Sequence, residues 1–464
     1  MTNIDTKIQE QISLTVCSDI VSYAKNLALD ECEAVLCAKK ILTVRITDSE
    51  VTEIKENFGK SVGVRLIHQK KISSLESTFL EPKKIVDEAL KSTKKLTKRE
   101  FWKSLPINEK TPVVEKTNDP KVWEIDASKA VEIANQMIDA ASHKIVSRIS
   151  GSLNIVCDDF ELENSNGLQR HERATYLSAV INADSEYGSI PVSGIGQANS
   201  RMLNHFDASK VGRDAMEMCV SSLNPRSCDA GITSIVFEPI AVGELLAFVI
   251  GPNFNLKTFS EKRSCFSDKQ GMKIASDEFS LIDDPHMPNG LGTKSFDDEG
   301  IPTKKTSFVD DGIFIGTYTD SYNAFKENAE VTANACRPGS PLGRSSEPIP
   351  VAAPHNLTIK PGKVNRDEVI SDTKNGILVS RLWYTYAVNP IKGDFSCTAR
   401  SGIWLIEDGE LKSPAKPIRI IHNLPTFLQN ISQIAINSRT VLPWAAMPVT
   451  APTIRSDGIS VNPI

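Results

Sequence analysis

Asp284-Pro285-His286-Met287-Pro288-Asn289-Gly290, followed by Ser295-Phe296-Asp297-Asp298-Glu299-Gly300-Ile301-Pro302, is the stretch on which the reading of this chain turns. An acidic Asp-Asp-Glu-Gly turn sits between a Gly-containing loop and the apolar segment Gly312-Ile313-Phe314-Ile315-Gly316. Taken alone, it is compatible with a solvated hairpin tip, because Asp and Gly favour turns. Two further roles suit the same residues. Asp297, Asp298, Glu299 and Gly300 can shape a groove that receives peptide, or the carboxylates can hold a cation or move a proton.

Upstream, the apolar spacing predicts a helix from Ile8 to Leu29 through Ile12, Val16, Ile20, Tyr23 and Leu27. Strands follow at Ala34–Leu36, Leu42–Ile46 and Val62–Ile67, with turns at Asp48 and Asn57–Lys60. A helix from Pro82 to Leu96 has Pro in its first turn. The polar stretch from Thr97 to Pro120 reads as a linker or exposed loop. Asp126 then caps a helix whose inner face is Ala130, Ile133, Ala134, Met137, Ile138 and Ala141. Strands at Ile149–Cys157, Glu161–Glu163 and Arg173–Ala183 flank the turn Asn164-Ser165-Asn166-Gly167. Gly194 to Asn199 lacks the third Gly of a dinucleotide loop and reads as a plain loop, and a helix spans Asp207 to Ser222. After Pro225 come a strand at Ile232–Phe237, an apolar helix opened by Pro239, many short strands and one late helix at Thr426–Ile434. The expected class is α+β. Residues 1–225 form an N-terminal α+β domain, divisible into 1–96 and 121–225, and residues 226–464 form a β-rich domain.

The chain has 464 residues, room for two or three cores. A net charge of -5 without a basic patch argues against nucleic acid and anionic membrane surfaces as partners. The longest apolar run, Leu245 to Ile250, is too short to span a bilayer, and the start at Met1-Thr2-Asn3-Ile4-Asp5 does not look like a secretory signal. Nine scattered Cys without a Cys-x-x-Cys pair suit a reducing compartment, so a cytoplasmic location is expected.

Several motifs resemble, in order, those of the TldD/PmbA family. They are Val44-Arg45-Ile46 with Gly63-Val64-Arg65, the Asn164–Gly167 turn, Asp284-Pro285, Asp297-Asp298-Glu299-Gly300, Asp310-Asp311-Gly312, Gly393-Asp394-Phe395-Ser396 and Gly402 through Glu410. The resemblance implies a C-terminal domain of twisted antiparallel sheets and two kinds of subunit that pair. The TldD-type subunit is a metallopeptidase with a zinc helix that begins His-Glu and carries a second His four positions after the first, and a late Cys completes its site. The PmbA/TldE-type subunit lacks that set.

Two imidazoles one helical turn apart reach one metal from one face, and a neighbouring Glu activates the bound water. In this chain the corresponding helix reads Ile240-Ala241-Val242-Gly243-Glu244-Leu245-Leu246-Ala247-Phe248-Val249. Gly243 and Ala247 stand where His is needed, Glu244 is the lone carboxylate, and Leu442 to Pro448 contains no Cys. The helix then reads as a core element or a subunit contact. No two of the seven His have ligand spacing on a helix, although His286, His355 and His422 share the C-terminal half. Cys336, beside Arg337, and Cys397 are candidate nucleophiles, with inert buried thiols as the alternative. The expectation is a PmbA/TldE-type, zinc-less subunit with no catalytic, cofactor or metal residue of its own. It would pair with a zinc-bearing TldD-type paralogue, or with itself, and act on unfolded peptides. The alternatives are a self-sufficient hydrolase using another site, or a homodimeric peptide-binding protein.

Overall fold

A computed structural model describes residues 3–444 and 447–464, with the side chains of residues 3–14 outside the description. Expected Ile12 is among those side chains, and Ala445 and Ala446 are likewise outside. The N-terminal half is built on a six-stranded antiparallel sheet, ordered β3-β2-β1-β4-β5-β6. Its strands are β1 (Glu31–Thr47), β2 (Glu50–His68), β3 (Lys71–Ser77), β4 (Arg148–Asn164), β5 (Gln169–Ser185) and β6 (Val192–Ser200). The helices are α1 (Asn3–Asn26), α2 (Pro82–Thr93), the single turn α3 (Pro120–Trp123), α4 (Ala127–Ala141) and α5 (Ala208–Ser221). Asp126 caps α4 by accepting from the Lys129 amide, as its sequence position predicts.

The strands are longer than periodicity suggested. Asn57–Lys60 is not a turn: it lies inside β2, paired with Ala38–Ile41 of β1. The true turn is Asp48-Ser49, both residues at positive φ, which matches the twist of a two-residue hairpin. Likewise the two segments expected within 149–163 are one strand, β4. The loop expected at Gly194–Asn199 is β6. Its glycines are a packing device, since a Cβ on Gly194 or Gly196 would lie 2.1 Å from Ala215 O or 1.9 Å from Val211 O of α5.

Side chains alternate across this sheet. Ala34, Leu36, Val62 and Val64 face α1 and α2, while Leu153, Ile155 and Cys157 face α4 and α5. The opposite face, through Val35, Cys37, Phe160 and Leu162, packs on Phe296. The segment Thr97–Pro120 crosses it less loosely than expected. Trp102 is buried, donates its ring N–H to Glu31 at 2.7 Å and lies under the Arg65 guanidinium.

The C-terminal half holds a thirteen-stranded sheet. It is antiparallel except where Leu357–Ile359 meets Val449–Pro463 and where Asn375–Val379 meets β7 (Gly231–Phe237). The helix after β7, α6 (Pro239–Leu245), runs into a π turn at Leu246–Ile250 and sits in the main apolar core. The late helix ends earlier than expected, at Leu424–Gln429, because residues from Ile431 join the strand Ile431–Val441.

Candidate functional site

Two places hold the residues singled out by sequence. The first is the Asp297–Gly300 turn, and the solvated reading of it is corrected: Asp297 and Asp298 have 0% exposure and Glu299 has 1%. Phe296 docks on the N-terminal sheet and carries the turn into the seam between the halves. There Glu33, Glu172, Asp298 and Glu299 meet Arg65, Lys294, Arg337 and Arg344. Arg65 bridges Glu33 at 2.9 Å and Glu299 at 3.1 Å. Asp298 accepts from Arg344 Nε at 2.8 Å, Lys294 Nζ at 3.0 Å and the Arg337 amide at 2.6 Å. Burial raises the Asp298 pKa, but the Lys294 and Arg344 charges outweigh it and hold the carboxyl well below its usual range.

Asp297, also in this seam, forms no ion pair among the described residues. Burial and then the Glu299 charge push its pKa up, while amides of Ile301 and Ala335 pull it down. Gly300 closes the turn at φ +88, and a Cβ there would meet Leu168 at 2.7 Å. The arrangement saturates these carboxylates with protein donors, so it serves as a charged lock between the halves. The cavity beside it, bounded by Lys294, Asp298, Cys336 and His355, measures ≈ 90 Å³, too small for an extended peptide.

The Arg beside Cys336 does not activate it. Arg337 is spent on Glu33 and on backbone carbonyls of Asp298, Glu347 and Pro348. Burial pushes the Cys336 thiol up to about 11, so it is protonated at neutral pH. Cys397 is fully buried and pushed up by burial and by Glu244. The three C-terminal His residues have separate duties. His286 bonds to Thr303, His355 to Ala333 O at 2.7 Å, and His422 stands edge-on to Phe395. Burial keeps His355 and His422 below their ordinary pKa.

The second place is α6. Residues Ile240 to Leu245 are all buried. A Cβ on Gly243 would stand 3.1 Å from Val441 and 3.2 Å from Val449, so an imidazole there has no room unless both strands give way. Glu244 is 5% exposed and lines a cavity of ≈ 110 Å³ with Ile195, Gln197, Ile240, Arg381 and Trp444. Burial raises its pKa to about 7, opposed by Arg381. Arg381 stacks on Trp383, its centre 4.1 Å from the ring. Zinc does not fit this donor set: one carboxylate facing a guanidinium, with Gly243 and Ala247 in place of imidazoles, cannot bind the ion. Sequence reading missed Arg381, because nothing in Ser380-Arg381-Leu382 announces that it reaches α6.

The two halves, with a buried helix after β7 packed in the core of a large sheet, make this an α+β protein. The family model described as "PmbA/TldA metallopeptidase C-terminal domain" matches residues 230–463. The chain belongs to the PmbA/TldD family. It is 24% identical over 447 residues to "Metalloprotease PmbA" of Escherichia coli O157:H7, covering 93% of this chain and 94% of that one. It is 25% identical over 413 residues to a "Metalloprotease" of Methanothermobacter thermautotrophicus, covering 86% of each. "Metalloprotease TldD homolog" of Haemophilus influenzae is 26% identical over 226 residues, 49% of this chain and 45% of that protein. The fold matches the crystal structure of TldE from Thermococcus kodakarensis with a TM-score of 0.87 at 23% identity, covering 96% of this chain and 99% of that one.

Proposed function

We propose that this chain is the zinc-less subunit of a TldD/PmbA-type peptidase complex, paired with a zinc-bearing TldD-type paralogue and acting on unfolded peptides. The observation that carries the reading is α6: Gly243 is packed against Val441 and Val449, and Glu244 faces Arg381. The helix is a packing element here, and peptide-bond hydrolysis falls to the partner. Residues 1–225 and 226–464 act as two domains locked by the Asp298 network, and the cytoplasm is the expected compartment. Among the described residues no helix is long and apolar enough to cross a membrane.

Among the described residues, the strand Leu382–Asn389 pairs on one side only, and it exposes Tyr384, Tyr386 and Val388. An extended peptide can join such an edge through its main chain. The test is hydrolysis of an unfolded peptide by the purified chain, alone and mixed with a TldD-type paralogue. Hydrolysis only in the mixture is expected. Turnover by the chain alone, surviving removal of metal by a chelator, would sink the proposal in favour of a self-sufficient hydrolase.

A further inference from the structure

The face of β5 and β6 turned away from α4 and α5 carries polar side chains that the charged seam does not use. Along β5, Leu177, Ala179 and Ile181 enter the α4–α5 core, so Ser178, Val180 and Asn182 point the other way, toward the C-terminal half. Gln197 of β6 lies directly opposite Val180 and shares that face. Arg381 reaches this face from just before the strand Leu382–Asn389, and its Nη1 donates to Asn182 Oδ1 at 3.1 Å. Ser178, Gln197, Arg381 and Trp444 line one cavity of ≈ 110 Å³, together with Ile240 and Glu244 of α6.

This cavity is short of partners for what it buries. Arg381 is 3% exposed and Gln197 8%. The bond to Asn182 is the only hydrogen bond of the Arg381 side chain among the described residues, although a guanidinium carries several N–H donors. Glu244 acts on Arg381 through space without forming an ion pair with it. The Gln197 side chain and the Ser178 hydroxyl make no hydrogen bond among the described residues, and Arg439 meets Gln197 at its backbone carbonyl. None of these polar atoms is sealed off from solvent-sized space, and the cavity is the space they share. The Arg381 guanidinium centre lies 4.1 Å from the Trp383 ring and 5.9 Å from that of Trp444. Stacking takes up the face of a guanidinium and leaves its in-plane N–H groups for an acceptor. Burial lowers the Arg381 pKa to about 10, with Glu244 opposing, so the group is still a cation at neutral pH. A buried cation with spare donors is costly until an anion completes it.

We propose that Arg381, Ser178 and Gln197 anchor the carboxylate of a bound peptide. The paired N–H groups of one guanidinium match the two oxygens of a carboxylate, and the Ser178 hydroxyl and Gln197 amide are further donors to them. A single cation beside the apolar walls of Ile240 and Trp444 suits a singly charged group on an organic residue. The terminal carboxylate fits better than an Asp or Glu side chain. Arg381 directly precedes the strand Leu382–Asn389, so a peptide laid antiparallel along that open edge brings its carboxyl end to Arg381. The site stands on the cavity; that its ligand is a peptide rests on the function proposed above.

The test is isothermal titration calorimetry of the full chain with three acetylated apolar tripeptides: one with a free terminal carboxylate, its terminal amide, and an amide bearing one Glu. Binding of the acid and not of the plain amide is expected, a comparison that needs no variant. Arg381→Met and Arg381→Lys should each weaken binding of the acid by about 10–100-fold, the worth of charge-assisted hydrogen bonds. The Lys variant keeps the charge, and its unchanged circular dichroism separates a lost fork from a lost fold. Glu244→Gln removes the one anion on the wall and should bind the acid at least as tightly. Binding of the Glu peptide as strong as that of the acid, and lost in Arg381→Lys, upholds the carboxylate anchor and assigns it to side chains. Acid and plain amide bound alike, no binding of either, or binding of the acid indifferent to both Arg381 variants overturns the anchor. Hydrolysis by the mixture with a TldD-type paralogue is read separately. If it proceeds while the anchor fails, the subunit reading stands, and if the anchor holds while the mixture is inactive, only the subunit reading falls.

Discussion

The Asp298 seam and α6 treat buried carboxylates in opposite ways. In the seam, four carboxylates meet four cations drawn from both halves of the chain, and the backbone amides of Ser295, Ser321 and Arg337 donate to Glu172, Glu299 and Asp298 as well. At α6 a single carboxylate, Glu244, lies in an apolar core with one guanidinium at a distance that makes no ion pair among the described residues. A fully compensated cluster holds a structure in register but leaves no acceptor for a ligand. An undercompensated group keeps a shifted pKa and still has acceptor capacity to spare.

Breaking the seam should have the largest effect. Asp298→Ala strands Lys294, Arg344 and the Arg337 amide, and a loss of about 3–5 kcal/mol in urea unfolding is expected. A loss below about 1 kcal/mol would show that the network is decoration. Its acid limb follows from sign: the folded pKa of Asp298 is depressed, so its contribution is full above the unfolded carboxylate range and disappears as pH falls through the folded value.

Rebuilding the zinc helix is the next largest. Gly243→His forces a side chain against Val441 and Val449 and should cost about 1–3 kcal/mol by overpacking, read as a lowered Tm. An unchanged Tm would mean that α6 still has room for an imidazole. Glu244→Gln should act in the other direction. The folded pKa of Glu244 is about 7 against an ordinary 4.5, so between those values only the folded chain keeps the proton. Stability therefore falls as pH rises through that window, and the Gln variant should be about 1–2 kcal/mol more stable at about pH 8 with a flatter profile. The smallest effect concerns Cys336. Cys336→Ser should leave hydrolysis by the mixed complex unchanged, and iodoacetamide should modify Cys336 slowly at neutral pH, because the thiol titrates near 11. Rapid alkylation would contradict the raised pKa of this half-buried thiol.

Much of this was legible in the chain. The Asp126 cap, the faces of α4 and α5 and the Asn164–Gly167 turn follow from local chemistry, and that turn alone sets the register that brings Glu161 opposite His171. The absence of an imidazole at Gly243 and Ala247 is equally a fact of sequence. Less local features misled. Asn57–Lys60 looked like a turn because its residues are polar, yet polar residues are at home on the exposed stretch of a strand whose hydrogen bonds go to β1. Gly194 and Gly196 looked like loop residues because the helix they admit, α5, comes later in the chain.

The sequence by itself determined which donors exist: seven His with no pair on α6, one Glu there, and nine Cys. Only the tertiary structure decided what each carboxylate meets. Asp298 and Arg344 are 46 residues apart and Glu33 and Arg337 are 304 apart. Coulomb energy and desolvation depend on distance and burial in space, and neither is written in the order of residues along the chain.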